Sequence, residues 1–595
     1  PVVATVVSRV RVGPPDSAPS LPMPVDAPRA LPGRLRYAWL LGMLVALAAT
    51  LPVWLSPGAR FVGTMGDPET FSWYLAWVPH ALAHGLNPLE AHMANAPYGV
   101  NLMWNTWMPL AGLLLSPITL LFGPLVSYNL LIAGALLLNV PAAFAFTRRV
   151  TDSGAAALVG AGFFGICPFV AGHALMHPNL ALAAYPPLLL ALLADAASGR
   201  RRPRQAGLLV GLATTAQLFL GEEVLAITTV GVALLGCYLI VAERPWLLQV
   251  GRRLAHTLAT GAAVCLPLVV LPLAWQFLGP QRISGPMYPP GRYSLDLAGL
   301  VVPTHLSLTS LPAYTAADAW SGDLLESTGY LLPIIILSAV LRRCWWPTRR
   351  GQAVMVTSCA ALALAFGPAL HIAGHRLPIP GPGSLFVHLP VLSTSLPARL
   401  TLLPDLGAAL AVSIILGRLG RAFPERRMRT LMGAVALLTA VMWLPAWPMS
   451  AYTPEHAAGA LDPSVLRAGD VVEFAPTPFL GFTSAPMLWQ AQDSFRWTMG
   501  AAYLISPQEV PRLANHHSDF PCLDSPMRLH ARSGMSLVDL SCPSNLRHRL
   551  RSAGVTVLVA WPSPWQTQIL GPITSVLGRP QMRGGLAVWR LAPPA

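Results

Sequence analysis

The chain has 595 residues, of which 54% are hydrophobic and only 11% are charged, with 39 lysine or arginine residues against 25 acidic ones. Because a soluble domain carries roughly 25% charged residues, this composition argues against a soluble protein and predicts that lipid surrounds much of the chain. Most of the arginines lie in short segments between apolar runs, as they do in the cytoplasmic loops of membrane proteins. This distribution accounts for the net charge of +14 without a nucleic-acid partner, and we expect none.

The first 36 residues are polar and rich in proline, and they carry Arg29, Arg34 and Arg36 just before the first apolar run. We interpret residues 1–36 as a disordered cytoplasmic tail that is followed by an uncleaved membrane span. The segment is too long and too rich in proline for a signal peptide.

Apolar runs of spanning length predict an α-helical polytopic membrane domain over residues 37–449, with about eleven transmembrane helices. The segment 107–122 is also apolar, but Pro109 and Pro117 interrupt it, so we interpret it as a re-entrant or interfacial helix. With that choice, every arginine cluster falls on one side of the membrane, and the loop 57–124 and the chain after 448 fall on the other. The predicted spans are 38–56, 125–147, 154–172, 179–196, 205–220, 224–242, 256–278, 326–341, 352–372, 400–418 and 430–447.

Residues 450–595 are more polar and predict a small extracytoplasmic α/β domain. Short alternating stretches at 471–474, 536–540, 555–559 and 586–591 predict strands, and residues 546–552 predict a helix before the third of them. Cys522 and Cys542 are the only cysteines of this region. Outside the cytoplasm they can form a disulfide, and two unpaired thiols are the alternative.

The outer loop 57–124 begins with two carboxylates, Asp67 and Glu69, in a chain that is poor in acids. Such a pair can deprotonate an acceptor hydroxyl or bind a divalent cation, Mg²⁺ or Mn²⁺, against a phosphate. Aromatic side chains in the same loop, including Trp73 and Tyr98, form either a platform for a sugar ring or an interfacial belt. The alternative for Asp67 is that it caps a helix beginning near Glu69.

The order of these features resembles the C-type glycosyltransferase superfamily, and more narrowly an uncharacterised bacterial branch of it. The shared features are a first span, an outer loop that opens with an acidic motif, an apolar helix containing proline, and a span that ends in two arginines. The short motifs that carry the narrower resemblance are Gly85-Leu86-Asn87-Pro88, Ala96-Pro97-Tyr98-Gly99-Val100-Asn101, Phe122-Gly123-Pro124 with Tyr128-Asn129, Gly172-His173 with His177 and Asn179, and Leu396-Pro397-Ala398-Arg399.

The resemblance implies an enzyme that takes a sugar from a polyprenyl-phosphate donor on the outer face of the membrane. In this superfamily the acidic residue of the first loop is the catalytic base, which here is Asp67, with Glu69 as its partner or as a metal ligand. Many relatives have a second acidic site on a later outer loop, for which Glu222 and Glu223 are the candidates. A solvated pair of loop carboxylates is the alternative for these two residues.

Several further polar residues are candidates for binding substrate on the outer side. His173 and His177 are four residues apart, and Asn179 follows them, so hydrogen bonding to substrate, a metal site and a structural role at the interface all stay open. Asn101 belongs to the same group through its motif. Four arginines in outer loops depart from the expected charge asymmetry, and a lipid-linked phosphate explains them, because a guanidinium can bind two phosphate oxygens. They are Arg282, Arg292, Arg376 and Arg399, and ordinary loop ion pairs are the alternative.

We therefore predict a multi-pass protein of the bacterial plasma membrane that interacts with membrane lipids. It would move a sugar from a polyprenyl-phosphate donor to a glycan, lipid or protein acceptor. A transporter or flippase for a lipid-linked glycan is one alternative, although we expect acids inside the spans of a transporter. A non-catalytic scaffold with a degenerate transferase fold is the other.

Overall fold

The chain forms a bundle of apolar helices followed by a small region that contains a β-sheet. The computed structural model describes residues 32–285, 287, 291, 293–309, 330–384, 396–456, 458–478, 484–508, 521–523, 542–563 and 566–591. The helices of the bundle are α1 (Pro32–Thr50), α2 (Asp67–Ala83), α3 (Pro109–Leu114), α4 (Ser116–Phe122), α5 (Pro124–Val150), α6 (Gly154–Gly165), α7 (Pro168–His173), α8 (Pro178–Ala181), α9 (Tyr185–Ala197), α10 (Pro203–Leu218), α11 (Glu222–Ala242), α12 (Arg244–Leu278), α13 (Leu332–Val340), α14 (Arg342–Trp345), α15 (Arg349–Ala365), α16 (Leu402–Ala422) and α17 (Arg426–Met442). The short strands that accompany them are β1 (Phe61–Val62), β2 (Glu90–Ala91), β3 (Val100–Asn101), β4 (Ala369–Ile372), β5 (His375–Pro380) and β6 (Ala451–Tyr452).

Long apolar helical segments confirm that the protein is an α-helical polytopic membrane protein. Among the described residues, seven such segments have the length and composition to cross a bilayer. The other four predicted spans coincide with the shorter helices α10, α13, α15 and α17, so the count of eleven stays a prediction. The seven segments are Leu35–Val53, Pro124–Val150, Gly154–His173, Pro178–Ala197, Glu222–Ala242, Arg244–Leu278 and Pro397–Leu419.

Two apolar stretches depart from a simple membrane-spanning helix. Residues 107–122 form α3 and α4, two helices of 6 and 7 residues that meet at Leu115, each too short to cross a bilayer. The predicted span 352–372 was too long, because α15 ends at Ala365 and the strand β4 follows. The turn between them contains Gly367 at a φ of +68°, a left-handed conformation that glycine adopts readily, and then Pro368.

Small residues bring the helices of the bundle close together. A Cβ on Gly160 of α6 would lie 1.9 Å from the Oγ of Ser413 on α16, so the two backbones approach as closely as glycine permits. Gly207 and Gly211 of α10 lie in the same way against α12. Contacts between small residues are a usual source of helix association in lipid, where burial of apolar side chains provides no driving force.

The C-terminal region confirms the predicted α/β organisation. Its elements are α18 (Ala485–Gln492), α19 (Leu546–Ser552), α20 (Gln566–Leu577), β7 (Val471–Ala475), β8 (Thr498–Met499), β9 (Val557–Ala560), β10 (Gln581–Arg583) and β11 (Leu586–Arg590). The five strands form a sheet with the order β10-β11-β9-β7-β8, in which β7 is parallel to both β8 and β9 and the remaining pairs are antiparallel. Strand residues alternate between two buried faces, one packed against α19 and α20 and the other against α18. The predicted strand at 536–540 lies outside the described residues.

The C-terminal region packs directly on the loop 57–124. Strand β6 pairs with β1, and α18 lies along α2, where the indole nitrogen of Trp73 donates to Gln490 Oε1 at 2.6 Å. Asn105 accepts from the backbone of Ile505 at 2.7 Å and donates to its carbonyl oxygen at 3.0 Å. One hydrophobic core therefore runs from the helical bundle through this loop into the sheet. The sulfur atoms of Cys522 and Cys542 are joined in a disulfide.

Candidate active site

Two glycines shape the turn that leads into α2. Gly63 has a φ of +111°, and a Cβ there would lie 1.8 Å from the carbonyl oxygen of Leu175, so only glycine allows this close approach. Gly66 has a φ of +120° and is the N-cap of α2. The turn therefore brings Asp67, the first residue of α2, against the segment that contains His173 and His177.

Asp67 pairs with a histidine. Its Oδ2 lies 2.7 Å from Nε2 of His177, and the two side chains are only 14% and 10% exposed. Its Oδ1 is buried and has no hydrogen-bond partner among the residues that the structure describes. The ring of His173 lies 5.6 Å from that of His177 and is held through Nδ1 by the carbonyl oxygen of Phe169 at 2.8 Å. A carboxylate that is held in place through one oxygen, and whose other oxygen can still accept a proton, is the arrangement that a general base requires.

A second acid, which the sequence analysis did not single out, supports this histidine segment. Asp405 lies fully buried in the first turn of α16, and its Oδ2 accepts from the backbone N–H of Phe169 at 3.0 Å. It thereby anchors α7, whose last residue is His173. The available signal was a single carboxylate inside the apolar run 400–418, since ionisable residues within spans are rarely without a role.

Glu69 turns away from Asp67 and caps its own helix. Its Oε2 accepts from the N–H of Gly66 at 3.1 Å and lies 3.3 Å from the hydroxyl of Ser484. Burial raises the pKa of Glu69 from 4.5 to about 7, and the hydrogen bonds of the backbone, Tyr452 and Ser484 offset only part of that effect. Burial, followed by the nearby charge of Glu69, raises the pKa of Tyr452 well above its ordinary value. The helix cap is therefore formed by Gly66 and Glu69, and not by Asp67.

The two carboxylates of the second acidic pair, Glu222 and Glu223, also have different partners. Glu222 accepts from Nε2 of Gln276 at 3.0 Å, and the same nitrogen donates to the carbonyl oxygen of Met103 at 2.7 Å. Glu222 thus ties α11 to α12 and to the loop 57–124. Glu223 forms an ion pair with Arg399, and these two side chains are 16% and 11% exposed.

A backbone contact connects the two acidic pairs. A Cβ on Gly221, which precedes Glu222, would lie 2.8 Å from the carbonyl oxygen of Asn179. Asn179 follows His177 by two residues, and its Oδ1 is buried without a hydrogen-bond partner in the described ranges. Two groups of polar residues, one around Asp67 and His177 and one around Glu223 and Arg399, therefore meet at this contact, and we call them together the polar cluster. Its members are Asp67, His173, His177, Asn179, Glu222, Glu223 and Arg399.

Other predicted site residues lie away from this cluster or have structural partners. Trp73 is fully buried between α2 and the C-terminal region, and Tyr98 is 58% exposed. Asn101 donates to the carbonyl oxygens of Trp275 and Pro280, both at 3.0 Å. The side chains of Arg282 and Arg376 are exposed, and Arg292 lies outside the described residues.

The residues present give little support for a bound cation. Within the ranges that the structure describes, no group of three or more histidine, cysteine, aspartate or glutamate side chains could hold a metal ion. Asp67 and Glu69 direct their carboxylates to different partners. Of the oxygen atoms of this pair, Asp67 Oδ1 is the one that is buried without a hydrogen-bond partner among the described residues. We derive no chemical step that depends on a cation.

Comparison with known proteins identifies the fold. No protein-family model and no curated protein matches the chain. Among solved structures, the arabinofuranosyltransferase AftD from Mycobacteria aligns with a TM-score of 0.52 at 14% identity, over 95% of this chain and 42% of AftD. The oligosaccharyltransferase of Archaeoglobus fulgidus aligns at 0.49 and 12% identity, over 88% of this chain and 68% of that enzyme. ArnT from Cupriavidus metallidurans, bound to undecaprenyl phosphate, aligns at 0.44 and 14% identity, over 95% and 100%.

The chain therefore shares the fold of the part of AftD with which it aligns. It spans less than half the length of AftD, so the activity of that whole protein is not carried over. Because one fold can host different functions, a reaction has to follow from the polar cluster around Asp67.

Proposed function

We propose that the protein is a membrane glycosyltransferase that uses a polyprenyl-phosphate sugar donor, with Asp67 as the general base. The observation that carries the proposal is the geometry of the Asp67 carboxylate. His177 fixes one oxygen at 2.7 Å, while the other oxygen is buried and has no hydrogen-bond partner in the described part of the chain. AftD is by its name an arabinofuranosyltransferase, which favours sugar transfer as the class of reaction.

In the proposed step, the oxygen of an acceptor hydroxyl attacks the anomeric carbon of the donor sugar. The bond between that carbon and the phosphate oxygen breaks, and the polyprenyl phosphate leaves with the electron pair. Asp67 Oδ1 takes the proton of the acceptor hydroxyl. His177 holds the carboxylate in place, so that Asp67 is already oriented for proton transfer before the acceptor binds.

Arg399 is our candidate for binding the phosphate of the donor and of the leaving group. It is the one arginine of the four predicted candidates that the described structure brings into the polar cluster, and its side chain is only 11% exposed. A guanidinium can donate two parallel hydrogen bonds to phosphate oxygens. Negative charge builds up on the leaving oxygen as the glycosidic bond breaks, so a fixed cation there lowers the barrier.

The charge pattern of the chain supports an orientation for this reaction. We propose that the N-terminus lies in the cytoplasm of a bacterium and that the polar cluster and residues 450–595 lie on the outer face of the plasma membrane. The arginine clusters between the predicted spans then all face the cytoplasm. The acceptor would be a glycan, lipid or protein of the cell envelope.

The test compares Asp67→Asn with the wild type in proteoliposomes that contain radiolabelled sugars linked to undecaprenyl phosphate, with an envelope fraction as acceptor. We expect the rate of transfer to fall about a thousandfold, since general-base catalysis contributes roughly 10²–10⁴-fold. Glu90→Gln is the matched control, because Glu90 is an acid of the same loop that faces His92 at 3.6 Å. The control should transfer at close to the wild-type rate. Full activity of Asp67→Asn would overturn the proposal.

A transporter for a lipid-linked glycan is the second candidate, and the observation that favours it is Asp405. This carboxylate is fully buried in an apolar helix, where the backbone N–H of Phe169 and the thiol of Cys167 are its hydrogen-bond partners. The same proteoliposomes separate the two functions. Movement of the labelled lipid across the bilayer without formation of a product would favour transport.

A further inference from the structure

The first turn of α2 makes an unusual contact with the C-terminal region. The hydroxyl of Ser484 forms a hydrogen bond with the carbonyl oxygen of Gly66 and lies 3.3 Å from Glu69 Oε2. These two residues form the cap of α2, because the Glu69 carboxylate accepts from the Gly66 N–H. Asp67 lies between them in the chain. One side chain from a distant part of the sequence therefore contacts the residues on both sides of the proposed base.

The contact is closed to solvent. Ser484 is 1% exposed and Glu69 is 3% exposed, so water cannot take over the hydrogen bonds of the hydroxyl. A buried polar group that loses its partner costs about 1–3 kcal/mol, and the local backbone then shifts to recover a partner. A shift at Gly66 or Glu69 necessarily moves Asp67.

The position of Ser484 is itself fixed by packing. It directly precedes α18, a helix whose first seven residues are all buried. That helix lies along α2 through the bond from Trp73 to Gln490, and Phe495, which follows the helix, packs edge-to-face on Trp73. The packing of the C-terminal region on α2 therefore fixes Ser484 against the start of α2, while His177, from the helical bundle, holds Asp67.

We propose that Ser484 is a positioning residue for the transfer reaction: through Gly66 and Glu69 it sets the orientation of Asp67, so the C-terminal region completes the active site. This inference rests on the proposed role of Asp67. It assigns to residues 450–595 a function in the chemical step, besides any role in binding an acceptor. A displacement of about 1 Å at a catalytic group can reduce the rate roughly a hundredfold, so an effect on kcat is expected.

The experiment measures kcat and KM for Ser484→Ala in proteoliposomes, with whichever undecaprenyl-phosphate-linked sugar shows transfer that depends on Asp67. Asn105→Ala is the matched control, because it removes two hydrogen bonds from the same interface without touching Gly66 or Glu69. Ser484→Thr restores the hydroxyl. Ser484→Cys keeps the size of the side chain but donates only weakly, and it replaces the alanine variant if that variant does not fold.

We expect Ser484→Ala to lower kcat at least tenfold with little change in the KM for the donor, and Ser484→Thr to recover most of the loss. Asn105→Ala should change kcat less than twofold, even where its thermal unfolding midpoint falls as far as that of Ser484→Ala. Equal effects of Ser484→Ala and Asn105→Ala on kcat, or an unchanged kcat in Ser484→Ala, would overturn the inference. Either result leaves the role of Asp67 standing, which the Asp67→Asn variant tests separately.

Discussion

The two acidic pairs of the polar cluster are built alike and differ in one respect. Each pair lies in the first turn of a helix and follows a glycine, Gly66 for α2 and Gly221 for α11. In each pair one carboxylate belongs to the scaffold. Glu69 caps α2 and meets Ser484, and Glu222 meets Gln276.

The other carboxylate of each pair faces a basic side chain, and the nature of that side chain is the difference. Asp67 faces the imidazole of His177, and its other oxygen has no hydrogen-bond partner among the described residues. Glu223 faces Arg399, which stays charged at any physiological pH. The first arrangement suits proton transfer and the second suits the binding of an anion. The proposed reaction therefore uses two helix ends: proton transfer takes place at the start of α2, and the phosphate binds at the start of α11.

Replacing Arg399 should produce the largest change at the second helix end. For Arg399→Gln we expect the Kd for undecaprenyl phosphate to rise about thirtyfold, because a charge-assisted hydrogen bond contributes roughly 1.5–3 kcal/mol. Binding can be measured by calorimetry on the protein in detergent. Arg376→Gln is the control, since Arg376 is exposed on β5. An unchanged Kd in Arg399→Gln would show that Arg399 does not bind the phosphate.

Neutralising Glu223, the partner of Arg399, should lower the Kd for undecaprenyl phosphate. In Glu223→Gln the guanidinium loses its ion pair with Glu223, so undecaprenyl phosphate should bind about three- to tenfold more tightly, in keeping with the modest energy of a partly exposed ion pair. The same calorimetric measurement applies, with Glu222→Gln as the neighbouring control. Weaker binding by Glu223→Gln would show that Glu223 holds Arg399 in place for the phosphate and does not compete with it.

The last expected effect is on stability and not on binding or catalysis, and it concerns the scaffold acid Glu69. Its pKa is raised to about 7 in the folded protein, so the folded state binds this proton more strongly than the unfolded state does. The free energy of unfolding should therefore fall as the pH rises from about 4.5 to 7 and then level off, with a contribution on the order of 3 kcal/mol.

Thermal unfolding in detergent at pH 5 and pH 8 tests this effect. The wild type should lose more stability between the two pH values than Glu69→Gln, which cannot ionise. An equal loss in both proteins would mean that Glu69 is not held in a protonated state by its burial.

The sequence determined the membrane character of the chain, the positions of most helices and the strands at 471–474, 555–559 and 586–591. These features depend on local patterns, namely apolar runs of spanning length, arginines between them and alternation in strands. It also singled out Asp67, His177, Glu223 and Arg399, because polar residues at the ends of apolar helices are conspicuous.

Only the tertiary structure decided which of these residues meet and what each one does. The bond from Ser484 to Gly66 joins residues 418 positions apart, and that from Phe169 to Asp405 joins residues 236 positions apart. Glu69 and Asp67 look equivalent in the sequence, yet one is buried as a helix cap and the other faces a histidine. The physical reason is that a carboxylate's role is set by its partners and its exposure, and both depend on how distant segments pack around it.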